Sequence, residues 1–436
     1  MNMAAWRMDQ MQTTGRATAG ARAAGWTVTL LALTLAACGE QSATSAMSAQ
    51  AAEGAGAADC KPVETREPNT QLKPAFAGQT RTCGVKSDVV FDVVVVAKGL
   101  EQPWSLEPLP GGDFLVTEKP GRMRIVAASG KLGEPVAGLP EVDARGQGGL
   151  LDAALSPSFD TDRTIYWSFS EPREGGNATS IARGVLSPDR KSLEQVRVIF
   201  QAQPSYDGDK HFGSRLAFGP DGMLYATFGE RSDAPMRPLA QKLDNHMGKI
   251  IRITTDGKAP SDNPFVGQAG ALPEIWTLGH RNVQAAAFDA RGQLWDIEHG
   301  PQGGDELNKV VKGKNYGWAL ITYGEEYSGP PIAGGATQRE GLEQPVYYWD
   351  PVIAPSGAQF YTGDAFPAWR DSLFVGSLKQ MRLVRLVIAG DRVTGEEHLL
   401  VDRGQRIRDV RQGPDGLLYL VTDSTSGEIW KLAPRR

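Results

Sequence analysis

Helical periodicity is nearly missing from this chain of 436 residues; only 238–247 suggests as much as one short turn. No Gly-x-Gly-x-x-Gly follows a predicted strand and no Gly-x-Ser-x-Gly elbow occurs, so nicotinamide, flavin and serine-hydrolase chemistry have no motif to stand on. No Cys-x-x-Cys-His attaches a haem, so electrons from any redox step must leave to an external carrier. Charge of one sign is not in excess: the net value is −5, which offers no basic face for nucleic acid. Cysteine is scarce, at three residues, and histidine stops at five.

The three cysteines all fall early. Arg16 and Arg22 precede an apolar run, 26–37, that ends in Leu35-Ala36-Ala37-Cys38. A charged start, a short apolar core and small residues before a cut form a secretory signal, too short to span a bilayer comfortably. The ending also resembles a bacterial lipobox, so residues 1–38 read as a lipoprotein-type signal with Cys38 as the lipidated residue. Gly39 after it suits sorting to the periplasmic face of the outer membrane, with membrane contact through the lipid alone. An ordinary signal peptide is the alternative. From 39 to about 85 the chain is rich in Ala, Ser, Gly and Pro and poor in large apolar residues, which predicts a flexible linker. Cys60 and Cys83 within it are either a disulfide or two free thiols.

What is present in quantity is glycine, 51 residues, set in short β-rich runs. Phe91-Asp92-Val93-Val94-Val95-Val96 is a first strand. Six later units share one layout, an apolar run, a turn and a second apolar run. They are 104–117 around Pro110-Gly111-Gly112-Asp113, 151–169 around Pro157-Ser158-Phe159-Asp160, and 216–228 around Pro220-Asp221-Gly222. The others are 285–297 around Asp289-Ala290-Arg291-Gly292, 360–375 with a looser turn at 367–371, and 410–421 around Pro414-Asp415-Gly416. Asp-Gly between alternating apolar runs marks a hairpin. Six such units at blade-like spacing predict a six-bladed β-propeller of four-stranded antiparallel blades over 86–436, with 91–96 completing the last blade.

A propeller decides no function, so the loops must. His211, before Phe212-Gly213-Ser214-Arg215, stands at the mouth of the third unit, where an imidazole can act as a base. Gly279-His280-Arg281-Asn282 offers the donor fork of Arg281 to a carboxylate or quinone oxygen. In Glu298-His299-Gly300-Pro301-Gln302-Gly303-Gly304-Asp305-Glu306, carboxylates and Gly-Pro carbonyls suggest a hard-cation site, although the spacing is not that of an EF-hand. Arg406 and Arg408 alternate along a strand and so share a face. They repel unless an acid or an anion lies between them, and with Lys379 they could take a multiply carboxylated small molecule.

Together and in order, these segments resemble the soluble quinoprotein glucose dehydrogenase family, most closely its bacterial aldose sugar dehydrogenase branch. Gln147-Gly148-Gly149-Leu150-Leu151, Lys314-Asn315-Tyr316-Gly317-Trp318 and Ser377-Leu378-Lys379 add to the match. The resemblance implies a six-bladed propeller holding pyrroloquinoline quinone (PQQ) and Ca2+. His211 would take the C1 hydroxyl proton of an aldose, Arg281 would polarise the quinone, and Gln147 would touch sugar and base. Asn282, Lys379, Arg406 and Arg408 would hold the quinone. Carbonyls of Gly300 and Pro301 would ligate its calcium, and Glu306 with the Tyr316 carbonyl a second one. Lys210, where the glucose-specific enzymes carry an acid, points to the broader aldose branch, and several loops are shorter than in their dimers. A calcium-dependent lactonase and a sugar-binding propeller without catalysis are the competing readings.

Overall fold

The computed structural model describes residues 60–435, so the expected signal, Cys38 and the first part of the linker lie outside the described residues. It contains six four-stranded antiparallel sheets. Their first strands are Pro103–Pro108, Leu150–Leu155, Leu216–Phe218, Val283–Phe288, Pro355–Phe360 and Ile407–Gln412, opening blades 1 to 6. Each packs against the first strand of the next, and blade 6 against blade 1, which closes a ring around an axis. Phe91–Leu100 pairs with Gly427–Pro434, so the N-terminal strand completes blade 6 as expected. The six-bladed propeller is what the turn-centred units predicted.

Each expected unit is the inner hairpin of a blade. Two of the turns share one device. Asp221 Oδ1 accepts from Met223 N at 3.1 Å while Oδ2 accepts from the Tyr225 hydroxyl at 3.1 Å. Asp415 does the same for Leu417 N and Tyr419. The glycines that follow these acids, Gly222 and Gly416, both take φ +74°, where a side chain would be strained. Apolar faces of adjacent blades then meet, with Trp167, Trp295 and Trp369 fully buried. Among the described residues helix is confined to single turns, one of them Arg237–Gln241 near the expected short turn.

The linker expectation needs correction over its second half. Residues 60–85 form a strap against the outer strands of blades 4 and 5, Tyr347–Trp349 and Arg392–Leu399. Cys60 and Cys83 are disulfide-bonded. Gln79, fully buried, accepts from Tyr348 N through its backbone carbonyl at 2.8 Å and donates to the Pro345 carbonyl at 2.9 Å. Cys83 and Val85 exchange backbone bonds with Glu396. Few apolar side chains are needed, because the strap is held through polar groups, which composition does not register.

Candidate functional site

The loops at the leading ends of the inner strands converge on one end of the axis. There His211, with φ +50°, turns its ring onto Glu230: Nδ1 lies 2.6 Å from Oε2. The Glu230 carboxyl is held below its ordinary pKa despite burial, chiefly by His211, and so is the acceptor. Nδ1 therefore carries the proton and Nε2 keeps its lone pair. Burial lowers the imidazole pKa and the Glu230 charge only partly restores it, so the ring is neutral at neutral pH. Gln147 Oε1 accepts from His211 N at 2.8 Å. A Cβ on Gly229 would stand 2.2 Å from the His211 carbonyl oxygen, so only glycine allows this approach. Arg231, buried, ties the segment from behind through the Lys210 and Gly208 carbonyls and lies 4.1 Å over the Phe212 ring.

Beside this pair is a cavity of about 320 Å³ whose lining includes Gln147, Phe212, His299, Trp104, Lys119, Arg406, Arg408 and Asp423. The expected arginine pair does have an acid between its members. Asp423 Oδ2 accepts from Arg406 Nε at 2.7 Å and lies 3.3 Å from Arg408 Nη2. Even so, three cationic side chains face one acid. Lys119 has its pKa lowered by burial and then by Arg408, and Arg408 Nε is buried without a hydrogen-bond partner. This is a basic pocket short of anions. Lys379 is solvent-exposed and is not among the lining residues. Asn282 lies behind the wall, its Oδ1 accepting from Gly213 N at 3.1 Å.

Arg281 faces a second, smaller pocket, where its Nη1 donates to the carbonyls of His299 at 2.9 Å and Gly300 at 2.7 Å. The Gly300 carbonyl expected to ligate calcium thus accepts from Arg281 here. Gly300, Pro301, Glu306 and Tyr316, the four residues expected to serve calcium, all line this pocket of about 10 Å³, which is close to one water in size. Burial and the neighbouring Glu298 and Asp305 push the Glu306 carboxyl well above its ordinary pKa, the electrostatic state of a carboxylate group that lacks a countercharge. Asp305 organises the loop. Its Oδ1 accepts from Gly300 N at 2.9 Å, and Oδ2 from Ile353 N and Ala354 N at 2.7 Å each.

The Glucose / Sorbosone dehydrogenase family model matches residues 100–431. The chain belongs to that family. An aldose sugar dehydrogenase of Escherichia coli is 45% identical over 349 residues, 79% of this chain and 93% of the relative. A crystal structure of a glucose dehydrogenase superposes with TM-score 0.77 at 48% identity, covering 79% of this chain and all of that one. The PQQ-bound form of an aldose sugar dehydrogenase from Streptomyces coelicolor gives TM-score 0.66 at 32% identity over 80% of this chain and 99% of that one.

Glu230, Lys119, Trp104 and Asp423 were missed by reasoning from sequence. Glu230 sits in Phe228-Gly229-Glu230-Arg231, directly after a strand of the His211 unit, and an acid at that strand end was the available signal. Lys119 and Asp423 follow second strands of blades 1 and 6 and meet only because the ring closes.

Proposed function

We propose that the protein is a quinoprotein oxidising aldose sugars at C1 to the lactone, with PQQ and calcium resident and an external acceptor taking the electrons. One observation carries this reading: a neutral histidine paired to a buried carboxylate stands beside a cavity with surplus positive charge. His211 Nε2 would accept the proton of the C1 hydroxyl, and Glu230 would fix the tautomer and stabilise the imidazolium. Gln147 would hold the base's backbone and meet the sugar. When bound, the quinone supplies a two-electron acceptor. Arg406, Arg408 and Lys119 would neutralise its carboxylates, with Lys379 and Asn282 at the margin, and Arg281 would place positive charge at the quinone oxygens. Gly300 and Pro301 carbonyls would hold a calcium, and Glu306 and the Tyr316 carbonyl a second one, with the raised Glu306 pKa in support. Binding at Gly300 requires Arg281 to give up that carbonyl.

Export as a lipoprotein belongs to the same reading. It is supported by Leu35-Ala36-Ala37-Cys38, and the Cys60–Cys83 disulfide suits an oxidising compartment. Among the described residues no helix is long and apolar enough to cross a membrane.

Reconstitution tests the proposal. Purified protein lacking 1–38 is mixed with calcium and PQQ, then given an aldose panel and an electron-accepting dye. Dye reduction that requires quinone, calcium and His211, with His211→Ala inactive, is the expected result; failure to bind quinone at all would sink it.

A further inference from the structure

The strap, residues 60–85, lies outside the 100–431 span that the family model matches, yet it contacts two loops whose far residues line the pockets. Its turn at Asn69-Thr70 wraps the Asp350 carboxylate. Asn69 N donates to Oδ1 at 2.5 Å, and Thr70 N and Oγ1 donate to Oδ2 at 3.1 and 2.8 Å. Asn69 Oδ1 in turn accepts from Val352 N at 3.0 Å. Arg81 Nη2 donates to the Asp350 carbonyl at 2.9 Å. The strap therefore grips the first residues of loop 350–355 with side chain and backbone alike.

The far end of that loop belongs to the pockets. Ile353 N and Ala354 N bind Asp305, whose other oxygen orients Gly300 N. His299 Nε2 lies 2.6 Å from the Pro355 carbonyl, which can only accept, so that nitrogen is the donor. Ala354 and His299 line the larger cavity, Gly300 and Pro301 the smaller one. Gly303 closes the contact from the other side. With φ +93°, a Cβ there would stand 2.7 Å from the Thr70 methyl, so the strap rests directly on the Gly300–Gly304 turn. The strap itself is tied at both ends: Cys60 and Cys83 close it over 23 residues, and Cys83 is backbone-bonded to Glu396 of blade 5. Closing a loop removes freedom that the Asn69-Thr70 turn would otherwise lose on gripping Asp350.

We propose that the disulfide-closed strap is a positioning element for the cofactor pocket: by clamping Asp350 through Asn69 and Thr70 it pre-organises loop 350–355 and so raises affinity for the quinone. This rests on the quinone reading above. The residues involved touch no reacting atom; they act through Asp305, His299 and Ala354.

The test uses the full exported chain, Thr70→Val, Thr70→Ser, and the double variant Cys60→Ser/Cys83→Ser. Amide hydrogen exchange at Gly300, Ile353 and Ala354 is measured without ligand. PQQ is then titrated in excess calcium by tryptophan fluorescence, and kcat is taken at saturating quinone. In Thr70→Val and the cysteine variant, exchange at those amides quickens, quinone Kd rises about tenfold, as loss of outer supports of a cofactor site does, and saturated kcat is unchanged. Thr70→Ser, which keeps the hydroxyl, behaves as wild type. A strap that only adds stability would lower Tm and leave both the amides and Kd alone, and that result overturns the proposal. Should the wild type bind no quinone, the affinity half falls with the quinone reading, and unaltered exchange at Ile353 and Ala354 would remove the clamp as well.

Discussion

At the scale of single residues, the proposed chemistry depends on how His211 is held. Its pKa is lowered by burial against a raising influence from Glu230, so the neutral, proton-accepting ring persists below the ordinary imidazole value of 6.5. The acid limb of kcat/KM should therefore fall below that pH, with a plateau above it. Glu230→Gln removes the raising charge and the tautomer lock together. The limb should move to still lower pH while the plateau drops on the order of a hundredfold; a purely structural partner would lower activity without moving the limb. Arg408 makes a separate point. Its Nε is buried and unpartnered, and Asp423 engages only its tip. If it awaits an anion, Arg408→Ala should weaken PQQ binding by about tenfold to a hundredfold, the worth of a charge-assisted hydrogen bond, measured by the same fluorescence titration.

At the scale of elements, blades carry stability and loops carry function, and the two should separate on mutation. Trp167 is fully buried in the second strand of blade 2, packed in a cluster with Leu115 and Met123 of blade 1, and lines neither pocket. Trp167→Ala should cost about 3–5 kcal/mol by chemical denaturation, while quinone affinity per folded molecule stays as in wild type. This separation also explains what sequence revealed. The inner hairpins were legible because their turns are rich in Pro, Asp and Gly, two of them sharing one Asp-Gly device, and because their strands are apolar on both faces, as in Leu224–Phe228. Outer strands were harder: Leu132–Pro135 is short and half exposed and carries little pattern. His211, Gln147 and the loop 298–306 could be named because each sits in one local segment. Asp423 between the arginines, Glu230 behind His211 and the strap on Asp350 are contacts between distant segments, and no local pattern encodes them. The strap misled for a physical reason: it is anchored by backbone and carboxylate hydrogen bonds, not by apolar burial.

At the scale of the whole molecule, the ring is stitched along its axis by charge. Arg215 Nη1 bonds Asp152 at 2.7 Å and lies 3.2 Å from Asp409, while Arg411 reaches Asp409, Asp152 and Glu107 at 3.2–3.4 Å. These residues come from blades 1, 2, 3 and 6, and the network ends at Glu107 and Arg411 in a cavity of about 290 Å³ at the other mouth. Three acids share two arginines there, and burial with Asp152 and Asp409 nearby pushes the Glu107 carboxyl up to about 7 from 4.5, against the pull of Arg411. Between those values the folded chain keeps a proton that the unfolded chain has released, so folding stability falls as pH rises through the window, by on the order of 1 kcal/mol per pH unit. Above about pH 7 the loss is complete. Glu107→Gln keeps the shape and the hydrogen-bonding groups but cannot ionise, so its stability should equal that of wild type near the acid end and exceed it above the folded pKa. Thermal unfolding of both proteins at mildly acidic and mildly alkaline pH checks this, because other buried acids, Asp305 and Asp296 among them, are common to both and cancel. A Tm difference that is the same at both ends would mean that Glu107 stays ionised against Arg411 throughout, and that the axis is balanced by ion pairing alone.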